Sequence, residues 1–274
     1  MLIVLSPAKT LNFDHVEQPP FTTEPRLLDE AQTLINRLRK LSSPKLQELM
    51  SISPALATLN RARYQQWAPD HGPSTTKPAA FAFDGDVYDG LRARTLDAQA
   101  LQWAQDHVRI LSGLYGVLRP LDRMRPYRLE MGSVLPVARS KNLYSFWGHQ
   151  PAQMLASDAK LIGATTLVNL ASDEYFRAVD RNVLGLRVIQ PVFQDETPDG
   201  SFKVISFLAK RARGAMARAI IERRIAAPEQ LRKISIEGFV LEPQYSDDER
   251  WVFRRALQNR PRAGEPASES TGRS

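Results

Sequence analysis

Apolar residues along this chain fall into short continuous runs and helical stripes, with no single period dominating. Residues 1–5 (MLIVL) are apolar throughout and contain Ile and Val, which predicts a buried strand. Ser6-Pro7-Ala8 breaks it. Leu27, Ala31, Leu34, Ile35 and Leu38 form one stripe and predict a helix over 26–40. Residues 44–50 read as a second helix with Ser43 as its N-cap, and Ser53-Pro54 opens a third toward Trp67. Residues 70–77 read as a loop, and 79–83 as a short strand running into the turn residues Asp84-Gly85-Asp86. A helix is expected at 96–107. Strands are expected at 108–111, 165–170, 186–193, 202–205, 234–241 and 250–254, the pair at 186–193 and 202–205 joined by a turn at 197–200. Ser172 stands where it could cap a helix through Val179, and 206–225 has the strongest helical character in the chain.

Strands and helices therefore mix without a regular βαβ alternation. That predicts an α+β fold in preference to a doubly wound sheet: one compact domain over 1–257, with a mixed sheet and surrounding helices. From Gln258 onward the residues are mostly Arg, Pro, Ala, Gly, Glu, Ser and Thr, which predicts a disordered C-terminal tail over 258–274. No apolar run approaches the ~20 residues of a membrane helix. The apolar run at 2–5 has no basic region before it, so a cytoplasmic protein without a membrane partner is expected.

Composition narrows the chemistry. The chain has 274 residues and no cysteine, which excludes disulfides, Cys-ligated zinc, iron–sulfur clusters and thiol-based sensing within this sequence. His15, His71, His107 and His149 have no metal-ligand spacing, and neither a metal site nor a cofactor is expected. The formal net charge is +7, which favours polyanionic partners.

Much of that charge sits in one stretch. Between Phe202 and Ile234, Lys203, Lys210, Arg211, Arg213, Arg218, Arg223, Arg224, Arg232 and Lys233 are opposed only by Glu222 and Glu229. On a helical wheel Leu208, Ala212, Ala215, Met216 and Ala219 share one arc, and Lys210, Arg211, Arg213, Arg218 and Arg224 the other. Gly214 lies among the basic residues, where a missing side chain would let a phosphate backbone come close. A solvated basic face is the alternative reading.

Leu111-Ser112-Gly113-Leu114-Tyr115-Gly116-Val117-Leu118-Arg119-Pro120 is a second candidate. Two glycines three apart suit the turn of a helix-hairpin-helix, which offers backbone amides to DNA phosphates. Arg109, Arg119, Arg123, Arg125 and Arg128 surround it, opposed within that span by Asp122, and Tyr115 and Tyr127 could stack on unpaired bases. Against this, Pro120 removes an amide from any following helix, and a strand over 108–111 ending in a tight turn fits equally well. Lys9, just past the first strand, could meet an anion in a cleft. Asp84, Asp86 and Asp89 fail the calcium-loop pattern; a turn held by aspartates fits them better, with magnesium as the alternative.

With these segments in view, the chain resembles the peroxide stress YaaA family. The resemblance rests on SPAKTL at 6–11, FDGDVYDGL at 83–91, LSGLYGVLRPLD at 111–122, PYRLEMG at 126–132, NLASDEYF at 169–176 and KRARGAMAR at 210–218. It implies a bacterial cytoplasmic protein that limits iron-driven peroxide damage. It also implies DNA binding through a positive cleft and a helix-hairpin-helix element, on a mixed α/β fold. Carried onto this chain, the hairpin is Gly113 to Gly116, and Lys9, Arg119, Arg128 and the 210–218 stretch are candidates for the cleft. The expected partner is DNA, duplex or branched, bound with little sequence preference through Gly113, Tyr115, Gly116, Arg119, Arg123, Arg125, Arg128, Lys210, Arg211, Arg213, Arg218 and Arg224. The alternative is an enzyme acting on a nucleotide or another small anion, with Lys9, Asp86 and Glu130 as candidate catalytic groups.

Overall fold

The computed structural model describes residues 1–14, 19, 21–70, 72 and 75–260. His15, His71 and residues 261–274 lie outside the described residues. The opening apolar run forms the strand Leu2–Leu5, buried at every position. A strand with no polar face needs cover on both sides. It pairs in parallel with Val108–Ser112 on one side and Thr166–Leu170 on the other. Both neighbours are likewise buried throughout.

The 8-stranded sheet grows outward from this centre. Arg187–Glu196 joins Thr166–Leu170 in parallel, and Arg250–Arg255 joins Arg187–Glu196 in parallel. Antiparallel strands finish it: Gly116–Leu118 beside Val108–Ser112, Val240–Leu241 beside Arg250–Arg255, and Phe202–Lys203 beside the end of Arg187–Glu196. The mixed sheet with surrounding helices, an α/β mix in one domain, is as the sequence leads one to expect. Its parallel centre is new. In chain order those strands lie second, first, third, fourth, fifth across the sheet. Winding direction therefore reverses between Leu2–Leu5 and Thr166–Leu170, and a cleft is expected at the carboxyl ends of those two strands.

Several local expectations need correction. Residues 79–83 are not a strand: Ala79–Ala82 is one helical turn, and only Phe83–Asp84 pairs, against Thr10–Leu11. A short apolar run buried on all sides does not reveal its own period. The helix after Ser172 stops at Phe176. The strand expected over 234–241 shrinks to Val240–Leu241. Gln258 and Asn259, placed in the expected tail, form a 3-10 turn with Leu257, and Arg260 donates to Glu196 O at 2.6 Å.

The strongest expected helix runs Ser206–Glu222, but it is not a free basic rod. Ala209, Ala212, Gly214, Met216, Ala217, Ile220 and Ile221 are buried, largely against the helix Asp86–Leu91 and the sheet. Gly214 is explained by that packing and not by a phosphate. A Cβ there would lie 1.7 Å from Val87 O, and one on Gly90 would lie 2.1 Å from Arg211 O. Each helix thus lacks a side chain where the other's backbone presses in.

One buried ion cluster ties the sheet to its flanking helices. Asp158, on the helix Gln150–Leu161, accepts both arms of Arg26 at 2.7 Å and Arg109 Nε at 2.6 Å. Burial alone would raise the Asp158 pKa, but the hydrogen bonds from Arg26 and Arg109 outweigh it and hold the carboxyl below its ordinary value.

Two outcomes follow. Gly214→Ala is expected to cost at least about 2 kcal/mol by overpacking, read from urea unfolding; a loss under about 0.5 kcal/mol would contradict the helix contact. Asp158→Ala is expected to cost roughly 3–5 kcal/mol by stranding two arginines. Because its folded pKa is depressed, Asp158 contributes fully above its unfolded pKa of about 3.9, and that contribution falls as pH drops through the folded value. Wild type and Asp158→Ala should therefore converge in stability at acid pH, which parallel urea titrations would show.

Candidate functional site

The glycine segment at 111–120 is a β-hairpin. Val108–Ser112 turns back into Gly116–Leu118, with Ser112 facing Gly116. Gly116 has φ +66, so the turn itself needs glycine. The hairpin is core: Leu111, Ser112, Leu114, Tyr115, Val117 and Leu118 are all 0% exposed. A Cβ on Gly113 would lie 2.2 Å from Leu129 O. The expected helix-hairpin-helix at Gly113 to Gly116 is thereby corrected, since these residues face protein where DNA phosphates were expected. Tyr115 cannot stack on a base either. Its hydroxyl accepts from Trp67 Nε1 at 3.0 Å and from the Arg125 amide at 3.1 Å, and burial pushes its pKa up to about 12.

The arginines around it are engaged. Arg119 binds Asp122 through its amide and guanidinium, Arg123 pairs with Glu24, and Arg125 donates to Gln66 O and Asp70 O. The cations on and after the long helix disperse. Arg211 is held by Glu237, Arg218 by Glu222 and the carbonyls of Leu91 and Arg92, and Arg224 by Gln99. These partners sit in different parts of the fold, so the helix does not present one free basic stripe. Lys210 and Arg213 are different. Neither has an ion pair or side-chain hydrogen bond among the described residues.

A separate polar cluster lies at the carboxyl ends of the central strands, where the winding reverses. Leu2–Leu5 ends at Ser6, whose Oγ accepts from the Ser172 amide at 2.8 Å and donates to Ser172 Oγ at 3.2 Å. This stitches the end of the first strand to the end of Thr166–Leu170. Lys9 follows, exposed, with Nζ 3.5 Å from Glu130. Glu130 also takes Arg128 at 2.9 Å, and Arg128 Nε is buried without a partner among the described residues. On the long helix, burial pushes the Arg213 guanidinium down from its ordinary value, with the carboxylate of Asp173 opposing. Lys210 lies three residues before Arg213, on the same side of the helix. Asp86 opens the helix Asp86–Leu91 and is half-buried.

A buried aromatic floor holds these groups up. Tyr88 donates to Ser6 O at 3.0 Å, Tyr127 shares a 2.7 Å hydrogen bond with Ser112 Oγ, and Tyr175 is buried as well. Burial raises the pKa of all three phenols, so they remain neutral. Lys77 anchors the loop from the other side, donating to Asn12 O at 2.8 Å and Asp14 O at 3.0 Å. Desolvation brings its pKa down to about 8. A groove of about 470 Å³ opens beside the helix Asp86–Leu91, lined in part by Asn12, Asp84, Asp89, Arg92, Arg94 and Arg211. Among the described residues no group of three His, Asp or Glu side chains is arranged to hold a metal ion.

A second surface was missed in the sequence. The helices Ser43–Met50 and Pro54–Gln66 pack against each other around the turn at 51–53. Ser51 takes the left-handed conformation at φ 50, and Ser53 caps the second helix by accepting from the Leu56 amide. Ser51, Ser53, Pro54 and Ala55 are exposed. Pro54 has no amide and that of Leu56 is taken, which leaves Ala55 without an intrahelical partner. Over 31–69, Arg37, Arg39, Lys40, Lys45, Arg61 and Arg63 stand against one acid, Glu48. That imbalance was the available signal.

Among the described residues no helix is long and apolar enough to cross a membrane. The family model described as peroxide stress protein YaaA matches residues 1–245. A UPF0246 protein of Cupriavidus metallidurans is 51% identical over 262 residues, spanning 94% of this chain and 100% of that protein. One of Ralstonia pickettii is 51% identical over 257 residues, with the same two coverages. One of Burkholderia mallei is 49% identical over 257 residues, spanning 93% of this chain and 98% of that protein. The chain belongs to the peroxide stress protein YaaA family.

Proposed function

We propose that this protein serves in the response to peroxide by binding DNA with little sequence preference, shielding it from iron-driven peroxide damage, and that the helical hairpin over 43–66 makes the contact. The family supports the stress role. The observation that carries the DNA reading is the exposed turn at 51–53, set in a stretch where six basic residues meet one acid. A turn between two helices brings backbone amides to a phosphate without reading base edges. Lys45 and Arg61, both exposed, flank it and neutralise further phosphates. The carboxylate pairing of Arg119, Arg123, Arg211 and Arg218 argues for this location over the β-hairpin and the long helix.

Binding to duplex and branched DNA at several salt concentrations tests the proposal. Lys45→Ala with Arg61→Ala should reduce affinity and flatten the plot of log affinity against log salt by ~0.9 per lost contact. Arg211→Ala should leave that slope unchanged, because Glu237 already holds the side chain. An undiminished slope in the double variant would remove the helical hairpin from the interface.

A further inference from the structure

DNA binding at the helical hairpin leaves the groove beside the helix Asp86–Leu91 without a task. It holds about 470 Å³, within the ~300–1,000 Å³ of small-molecule sites. Its lining divides by chemistry. Phe81, Phe83, Tyr88 and Ala93 are buried and offer apolar surface. Asp84, Asp89, Arg92, Arg94 and Arg211 bring charge, while Asp86 is outside the lining. Arg211 is already neutralised by Glu237. The other four are not. Among the described residues Asp84 and Asp89 have no ion pair and Arg92 has no side-chain partner. Arg94 meets a carbonyl, that of Phe81 at 2.9 Å, but no carboxylate. Two guanidiniums and two carboxylates thus line one groove without pairing. Lys77 sits behind it on the carbonyl oxygens of Asn12 and Asp14, where Asp14 and Asp84 both favour its charge. Counting Lys77 together with Asp14 leaves the balance even.

The walls of the groove are held in place. Thr10–Leu11 pairs with Phe83–Asp84, and the Asn12 amide donates to Ala82 O at 2.8 Å. Phe83 and Tyr88 pack ring against ring, 5.3 Å between centroids. Arg218 clamps the turn that carries Arg92 and Arg94. It donates to Leu91 O at 3.2 Å, Arg92 O at 3.0 Å and Thr95 Oγ1 at 2.7 Å, and Glu222 neutralises it. Arg92 itself takes the left-handed conformation at φ 47, where glycine or asparagine is the easier residue. An arginine there keeps a cation in the lining at a cost to the backbone. Charged groups fixed on rigid walls are what recognition of a small ligand requires.

We propose that this groove binds a short zwitterionic peptide. Arg92 and Arg94 take its terminal carboxylate, Asp84 and Asp89 its terminal ammonium, and an apolar side chain lies against Phe81, Phe83 and Tyr88. A planar guanidinium meets a carboxylate with two parallel hydrogen bonds, and a carboxylate meets an ammonium through charge-assisted ones. A ligand without net charge suits a lining whose charges balance. A phosphate dianion would instead face two carboxylates that no cation neutralises. The groove shares no residue with the helical hairpin, so this site goes beyond the nucleic-acid reading and stands or falls separately.

Isothermal titration of the full chain with the dipeptide leucyl-phenylalanine tests it, beside the N-acetylated dipeptide, its C-terminal amide and adenosine monophosphate. Saturable one-to-one binding of the free dipeptide is expected. Acetylation and amidation should each weaken it about tenfold or more, as loss of a charged hydrogen bond does. Arg92→Asn suits the left-handed cap, and Asp89 is exposed, so Arg92→Asn and Asp89→Asn both stay folded. Arg92→Asn should narrow the gap between dipeptide and amide and keep the penalty for acetylation. Asp89→Asn should do the reverse. Lys45→Ala with Arg61→Ala should titrate like wild type, while Arg92→Asn should keep its DNA affinity. No saturable heat with the free dipeptide, equal affinity for the blocked forms, or tighter binding of adenosine monophosphate would overturn the proposal.

Discussion

A four-residue strand with no polar face organises this molecule. Leu2–Leu5 can satisfy its backbone only by pairing on both edges, and can hide its side chains only between two covered faces. Its neighbours come from sequence positions more than a hundred residues away, and both run in the same direction as the first strand. Parallel pairing forces long crossovers, and the crossovers supply the helices that cover the sheet. It also gathers the three strand ends, with Ser6, Ser112 and Ser172, at one edge. The polar group of Lys9, Arg128 and Glu130 follows the first of these ends.

The second constraint is the close contact between the helices Asp86–Leu91 and Ser206–Glu222. Gly90 and Gly214 remove two side chains where backbones meet. This fixes the rotation of the long helix and so decides where each of its cations goes. Arg218 is turned toward the Leu91 and Arg92 carbonyls and Arg211 toward Glu237. A helix whose charges look contiguous on a wheel is thus divided among several partners.

Legibility in the sequence followed the range of the interaction concerned. The first strand, the helices near 28–66 and the strands at 108–112, 166–170 and 250–255 were readable, because local burial patterns and proline-led caps set them. The parallel order of the sheet was not, since insertions such as 113–165 hide the alternation of strand and helix. The helix Leu143–Trp147, begun by a capping box on Asn142, went unread for want of a long stripe. Among candidate residues, Lys9 and Glu130 do meet, and Lys210 and Arg213 have no ion pair among the described residues. Gly113, Tyr115 and Gly116 were misread because a pair of glycines signals a tight turn without saying whether water or protein lies outside it. Glu24 and Glu237 lie far in sequence from the arginines they hold, so no local charge count could have found those pairs.

The proposed DNA contact lies at the exposed turn at 51–53 and not at the glycine β-hairpin or the long helix. Hydrogen–deuterium exchange of the full chain, with and without a saturating duplex, reads this at the backbone itself. Slowed exchange centred on the amides around 51–56, with 111–120 and 206–222 unchanged, is the expected pattern. Protection confined to the long helix, or none near the turn, would contradict the account.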